Sequence, residues 1–115
     1  MIDRSAIVAA LASVPGLTPS PMRPDTIAAG AAWPVWIGTH WMGLRPDSHR
    51  EIRWYVFVVL NGTAQSGTAA EGDPLIDLVG NALSAAQLRT DTVEPTGVAV
   101  GETSETLPAL RFTCH

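Results

Sequence analysis

The order of apolar patterns along the chain predicts an α+β fold: a small, mostly antiparallel sheet of about four strands with two helices packed on it. Three observations lead there. Two segments, residues 7–14 and 75–86, carry apolar residues at helical spacing. Ile52 to Leu60 is a dense run of β-branched and aromatic residues, the composition of a strand. The patterns alternate as helix, strand pair, helix, strand pair, with no repeat and no linker, so the 115 residues are expected to form a single domain, 1–115.

The first helix is expected to start at Asp3, whose carboxylate suits the free N–H groups of a first turn. Ile7, Ala10, Leu11 and Val14 then fall at i, i+3, i+4 and i+7 on one face. Pro15-Gly16 stops the helix. Pro19, Pro21 and Pro24 make the next stretch an extended connector, with at best a short edge strand around Leu17. Trp33 to Leu44 reads as a strand. Pro34 fits its first residues or an edge, and Gly38 marks a bulge. In a regular strand Trp33, Val35, Ile37 and Trp41 share one parity, and Trp36, His40, Met42 and Leu44 the other. Trp36 and Trp41 therefore face opposite ways unless the bulge realigns them.

Arg45 to Glu51 is a polar turn that joins this strand to Ile52–Leu60 as an antiparallel hairpin. Ile52, Trp54, Val56, Val58 and Leu60 share one face of the second strand. Tyr55, Phe57 and Val59 share the other, with Arg53 the lone polar residue. A strand with one wet face alternates apolar and polar residues; this one does not, so both faces are expected to be covered. Thr63 to Gly72 is loop or an early turn capped by Thr68 with Glu71. The firmer helix start is Asp73 as cap and Pro74 at the first helical position. Leu75, Leu78, Val79, Ala82, Leu83 and Ala86 give the best helical face in the chain, ending near Leu88 or Arg89. Two short strands follow: Val93 and Val98–Val100, broken by Pro95-Thr96-Gly97, then Leu110, Phe112 and Cys114 on one face after a turn at 101–106.

The net charge is −4, and all seven basic residues are arginine. An acidic chain lacks the basic footprint of groove binding to nucleic acid, although DNA passing nearby would be repelled and stay mobile. A lone cysteine forms no internal disulfide, and no apolar run has the length of a membrane span. The chain is therefore expected to be soluble and made in a reducing cytoplasm.

No catalytic constellation stands out. His40, His49 and His115 lack the CxxC, HxxxH or HExxH spacing of a metal site. Cys114 is read as a small apolar residue on the last strand rather than a nucleophile, and His115 as a frayed end. Gly62 to Thr68 resembles a phosphate loop without the lysine such a loop needs. No catalytic, cofactor-binding or metal residue is predicted. Arg45, Asp47, His49, Arg50 and Glu51 form the densest charge run, either a solvated tip or a contact loop that sets register against a neighbour. Four tryptophans remain. Trp33 and Trp54 are assigned to the core against the two helices. Housing Trp36, Trp41, Tyr55, Phe57 and Met42 as well exceeds one small core, and interfaces between proteins favour such residues.

The layout resembles the tail terminator proteins of long-tailed bacteriophages over nearly the whole chain. The carrying features are the Pro15-Gly16-Leu17 turn after the first helix, the proline-bearing connector, and the strand start Trp33-Pro34-Val35-Trp36. The central strand Trp54-Tyr55-Val56-Phe57-Val58-Val59-Leu60, the long helix and the two closing strands complete them. The resemblance implies a homo-oligomeric ring, usually a hexamer, on the head-proximal end of the tail tube. Such a ring ends tube polymerisation and offers a docking surface to the head. It implies no catalysis and no cofactor. Its partners would be the tail tube protein and a head-tail connector or neck protein, with DNA crossing the channel unread and no membrane involved. The location would be the virion, after assembly in the host cytoplasm. The subunit interface is expected to involve Trp36, His40, Trp41, Met42, Arg45, Asp47, His49, Arg50 and Glu51. A head-completion protein or other minor tail protein is the nearest alternative. From a different class, a monomeric ligand-binding module or small enzyme with an aromatic pocket is the second.

Overall fold

The computed structural model describes residues 3–41, 50–60, 66–99 and 106–115. Its elements are α1 (Arg4–Ala12), β1 (Thr18–Pro19), β2 (Ala31–Trp41), β3 (Arg50–Val59), α2 (Ser66–Ala85), β4 (Thr90–Ala99) and β5 (Thr106–Cys114). The five strands form one sheet in the order β1-β2-β3-β5-β4. Every pairing is antiparallel except β1 with β2, which is parallel. This is the α+β fold the patterns predict. Its additional strand is the short edge piece after Leu17.

Asp3 caps α1 as expected, its Oδ1 accepting from the Ala6 N–H at 2.9 Å. The buried face of α1 is Ile7 and Leu11, with Val14 just beyond it. Val79 and Leu83 of α2 join them over one face of the sheet, meeting Trp54, Val56 and Val58 of β3 and Leu110, Phe112 and Cys114 of β5. Leu78 departs from the expected face: it is 47% exposed, and Ile76 packs on the core instead. The buried stripe of α2 runs through Ile76, Val79 and Leu83, which leaves Leu78 at its rim.

Helix α2 begins at Ser66, earlier than the Asp73 cap predicts, and contains Pro74. A proline inside a helix forfeits one backbone bond, and here the helix continues through it. The other end stops at Ala85 rather than near Leu88 or Arg89. Gln87 adopts φ 65°, and the Leu88 N–H reaches back to Leu83 O at 2.9 Å while the Gln87 N–H reaches Ser84 O at 2.9 Å. These paired bonds make a Schellman stop. Leu88 is buried beside Leu83, supplying the apolar contact that accompanies the motif.

Two further strand readings change. β4 runs unbroken through Pro95. It is the outermost strand, where a proline costs no ladder bond when its nitrogen faces solvent. β3 begins at Arg50, so Arg50 and Glu51 belong to the strand and not to the turn. The expected turns at 45–49 and 101–105, the strand end 42–44, and Asn61-Gly62 lie outside the described residues.

Candidate functional site

The register of β2 against β3 decides where each tryptophan goes. Ala32 pairs with Val58 and Trp33 with Phe57. Val58 belongs to the helix-covered face, so Trp33 belongs to the other. Trp33 is buried as expected, but not against the helices. It stacks on Phe57 with ring centroids 5.5 Å apart and packs with Ile27, Val59, Val98 and Ala109 in a second cluster. Trp54 does join the helix-side core, and the Arg4 guanidinium lies 5.3 Å from its ring centroid.

That second cluster covers only part of the outer face. The proline-rich connector folds over one end of it: Ile27 is buried there, and the Arg23 guanidinium donates to Ala99 O on β4. Toward the other end Val35, Tyr55 and Phe57 remain half-buried. Arg111 closes part of this surface. Its guanidinium sits 4.7 Å from the Tyr55 ring centroid and pairs with Glu94 at 2.6 Å. The expectation that both faces of β3 are covered therefore holds fully near Val59 and only partly near Tyr55.

Beyond Trp54 the sheet narrows to a two-stranded ribbon. The last β3–β5 pair is Trp54 with Cys114, so residues 50–53 pair only with β2 among the described residues. β1 covers β2 only at Ala31 and Ala32. Between Trp36 and Gly38 the register shifts by one residue, which is the bulge expected at Gly38. The shift realigns the tryptophans. Trp36 pairs with Trp54 and Trp41 with Arg50, so both positions share the helix-side parity, while His40 opposite Glu51 takes the other. Trp36 is 55% exposed and Ile37, at the bulge, 40%.

At the base of the ribbon a small polar cluster ties strands together. Glu51 Oε1 accepts from Arg53 Nε at 2.8 Å. His115 Nδ1 lies 2.8 Å from Asp91 Oδ2 and 3.9 Å from Glu51 Oε1. His115 is not frayed: it exchanges two backbone bonds with Arg89, of 2.8 and 2.9 Å. These residues are partly exposed, so their ion pairs stabilise the ribbon base only weakly.

Of the predicted interface residues, the structure brings Trp36, His40, Trp41, Arg50 and Glu51 into the ribbon. Met42, Arg45, Asp47 and His49 lie outside the described residues. Glu51 is turned to Arg53 and His115 rather than left free. The sequence reading missed Ile37, Arg53 and Leu78 as exposed candidates. The bulge that exposes Ile37 was legible at Gly38, but its effect on the flanking residues depends on the partner strand.

Among the described residues no group of three or more His, Cys, Asp or Glu gathers to hold a metal ion. Cys114 is fully buried, and desolvation pushes its thiol up to about 11, partly offset by a hydrogen bond to Thr90 and reinforced by Asp91. A thiol so placed is a core residue rather than a nucleophile at neutral pH. Among the described residues no helix is long and apolar enough to cross a membrane.

No family model matches the sequence, and no match to a curated protein was found.

Proposed function

We propose that the protein is a structural subunit that assembles into a closed ring, acting as a terminator on the head-proximal end of a phage tail tube. The observation that carries this reading is the ribbon: two strands that, past Trp54, pair only with each other among the described residues, with Trp36 and Ile37 exposed. An isolated two-stranded ribbon is marginal in water, and exposed aromatic and aliphatic side chains on it gain by being covered. Support also comes from the half-open outer face at Val35, Tyr55 and Phe57. The order of helix, strand pair, helix and strand pair on which the resemblance rests is the order of α1, β2–β3, α2 and β4–β5. In that role the subunit performs no catalysis and needs no cofactor. Its partners are further copies of itself, the tube protein below and a neck protein above. The acidic balance leaves DNA free to pass.

The test is light scattering behind size exclusion over a range of concentrations, with and without purified tail tubes. A ring, or a monomer that joins tube ends and halts their growth, supports the reading. A stable monomer indifferent to tubes refutes it. The double change Arg50→Glu, Trp41→Ala is expected to abolish ring formation; an intact ring would count against the ribbon as the contact.

A further inference from the structure

We propose that residues 21–29 are a releasable cover on the outer face of the sheet, and that a second copy of this chain displaces them there on assembly. The release stands apart from the ring reading; the displacement by a second copy rests on it.

The outer face is closed by very little. Its buried cluster joins Trp33 of β2, Val59 of β3, Val98 of β4 and Ala109 of β5, and no helix residue takes part. Ile27 is the one buried member of that cluster outside the strands. Among the described residues a single side chain thus covers apolar surface contributed by four strands.

The segment that carries Ile27 is pinned at its ends and loose between them. The Ser20 N–H donates to Ala32 O at 2.8 Å, and the Gly30 N–H to Val59 O at 2.9 Å. From 21 to 29 only Ile27 is buried. One backbone bond holds the segment from within the connector, from the Ala31 N–H to Ala28 O at 3.1 Å. Two arginines add the rest: Arg4 donates to Pro21 O, and Arg23 to Ala99 O on β4. A surface loop with adjacent, fixed ends and one buried apolar anchor opens as a local unit, at less cost than unfolding the whole domain.

Continuity selects the occupant. Release alone would put Trp33 and Val59 in water, so the loop stays closed on an isolated chain. Next to it the face is already half-open. The Trp33–Phe57 pair is followed along the strands by Val35–Tyr55, and then by the ribbon. Val35, Tyr55 and Phe57 are half-buried. A copy that covers the ribbon reaches this strip first. It then gains the surface under the loop by extending the same contact, against a competitor anchored by one isoleucine.

The experiment places a thiol under the cover with Val98→Cys, a change to a smaller side chain. The buried Cys114 of the helix-side core serves as the internal reference. Dilute protein is treated with a thiol reagent at several urea concentrations below the unfolding midpoint. The introduced thiol is expected to react faster than Cys114 and with weaker urea dependence. Adding Ile27→Ala speeds it by roughly tenfold or more, beyond the global destabilisation that urea unfolding measures. Arg23→Ala, which leaves the apolar packing alone, speeds it in the same direction by less. In assembled protein, on tube ends or in a ring, the introduced thiol is protected, and Ile27→Ala lowers the concentration at which light scattering detects assembly. Reaction of both thiols in step at every urea concentration overturns the release. An introduced thiol that opens locally yet labels as fast in the assembly as in the free chain overturns the displacement and leaves the ring reading standing. A chain that neither self-associates nor engages tubes, with or without Ile27→Ala, overturns the ring reading and the displacement together.

Discussion

Gly30 and Gly16 offer a matched pair of substitutions whose difference isolates one steric contact. Both glycines have positive φ, +89° and +86°. A side chain in that region costs about 1 kcal/mol or slightly more, and an added methyl loses the same unfolded-state freedom at both positions. The surroundings differ. A Cβ at Gly16 meets nothing within 4 Å, whereas at Gly30 it lies 2.6 Å from Gly16 O, closer than real Cβ atoms approach. The backbone there has little room to yield. The Gly30 N–H donates to Val59 O at 2.9 Å, and Gly30 O accepts from the Thr18 N–H at 2.8 Å. Forcing such an overlap adds about 1–3 kcal/mol. Gly16→Ala is therefore expected to destabilise by about 1 kcal/mol and Gly30→Ala by about 3 kcal/mol. For a chain of this size the gap corresponds to roughly 8 °C in Tm. Urea unfolding followed by tryptophan fluorescence measures both, with an unchanged m-value expected. Equal losses in the two variants would refute the argument from the close approach, and with it the account of how the connector is held on β2.

Other substitutions test separate parts of the fold. Gly80 sits inside α2 with open space where a Cβ would go, so Gly80→Ala should raise stability by about 0.5–1 kcal/mol; a lower Tm would show a contact the geometry lacks. Gln87 occupies the left-handed position of the α2 stop, so Gln87→Gly should stabilise by a similar ~0.5–1 kcal/mol, again read from Tm. The Cys114 thiol is raised from 9.0 to about 11, so the unfolded chain ionises first as pH rises. Stability should fall between pH 9 and 11 by about 2–3 kcal/mol. The part due to the thiol disappears in Cys114→Ala, and alkylation of the native protein at pH 8 should proceed only as fast as unfolding. Arg4→Ala removes one guanidinium that serves both Pro21 O and Pro34 O and covers Trp54, so it should cost about 2 kcal/mol, measured by urea unfolding; a loss under half that size would show that water replaces it freely.

Local signals carried most of the fold. Asp3, the Ile7–Leu11–Val14 face and Pro15-Gly16 define α1 without help from elsewhere, and the alternation of β3 separates its two faces correctly. What escaped depends on partners. Trp33 looked like helix-side core because it is large and apolar, yet its face follows from pairing with Phe57, a register that no local pattern specifies. Leu78 fits a helical repeat, but which arc of α2 meets the sheet depends on the sheet. Pro95 broke the reading of β4 because its harmlessness depends on the strand being outermost. The candidate interface was legible as a surplus of aromatics. Its shape was not, since the realignment of Trp36 with Trp41 needs the one-residue shift against β3.

The edges of the sheet narrow the ways in which copies can meet. Along β2, the outward carbonyls of Gly30 and Ala32 accept from Thr18 and Ser20, and that of Pro34 accepts from Arg4. Strand β1 and one arginine thus close this edge as far as Pro34. At the far side β4 carries Pro95 in mid-strand and a register shift between Thr90 and Thr92, both of which discourage another strand from adding. Arg23 also occupies Ala99 O at its end. Among the described residues the stretch without such protection is the ribbon, at 36–41 and 50–53, where the exposed Trp36 and Ile37 also lie. Unguarded edges and uncovered apolar side chains usually invite indiscriminate pairing. Here the one-residue shift at Gly38 interrupts the ladder, and the paired Glu51 and Arg53 put charge of both signs on β3 beside it. The ribbon is therefore biased against pairing with a further strand along this edge, and what covers Trp36 and Ile37 is expected to meet them through side chains.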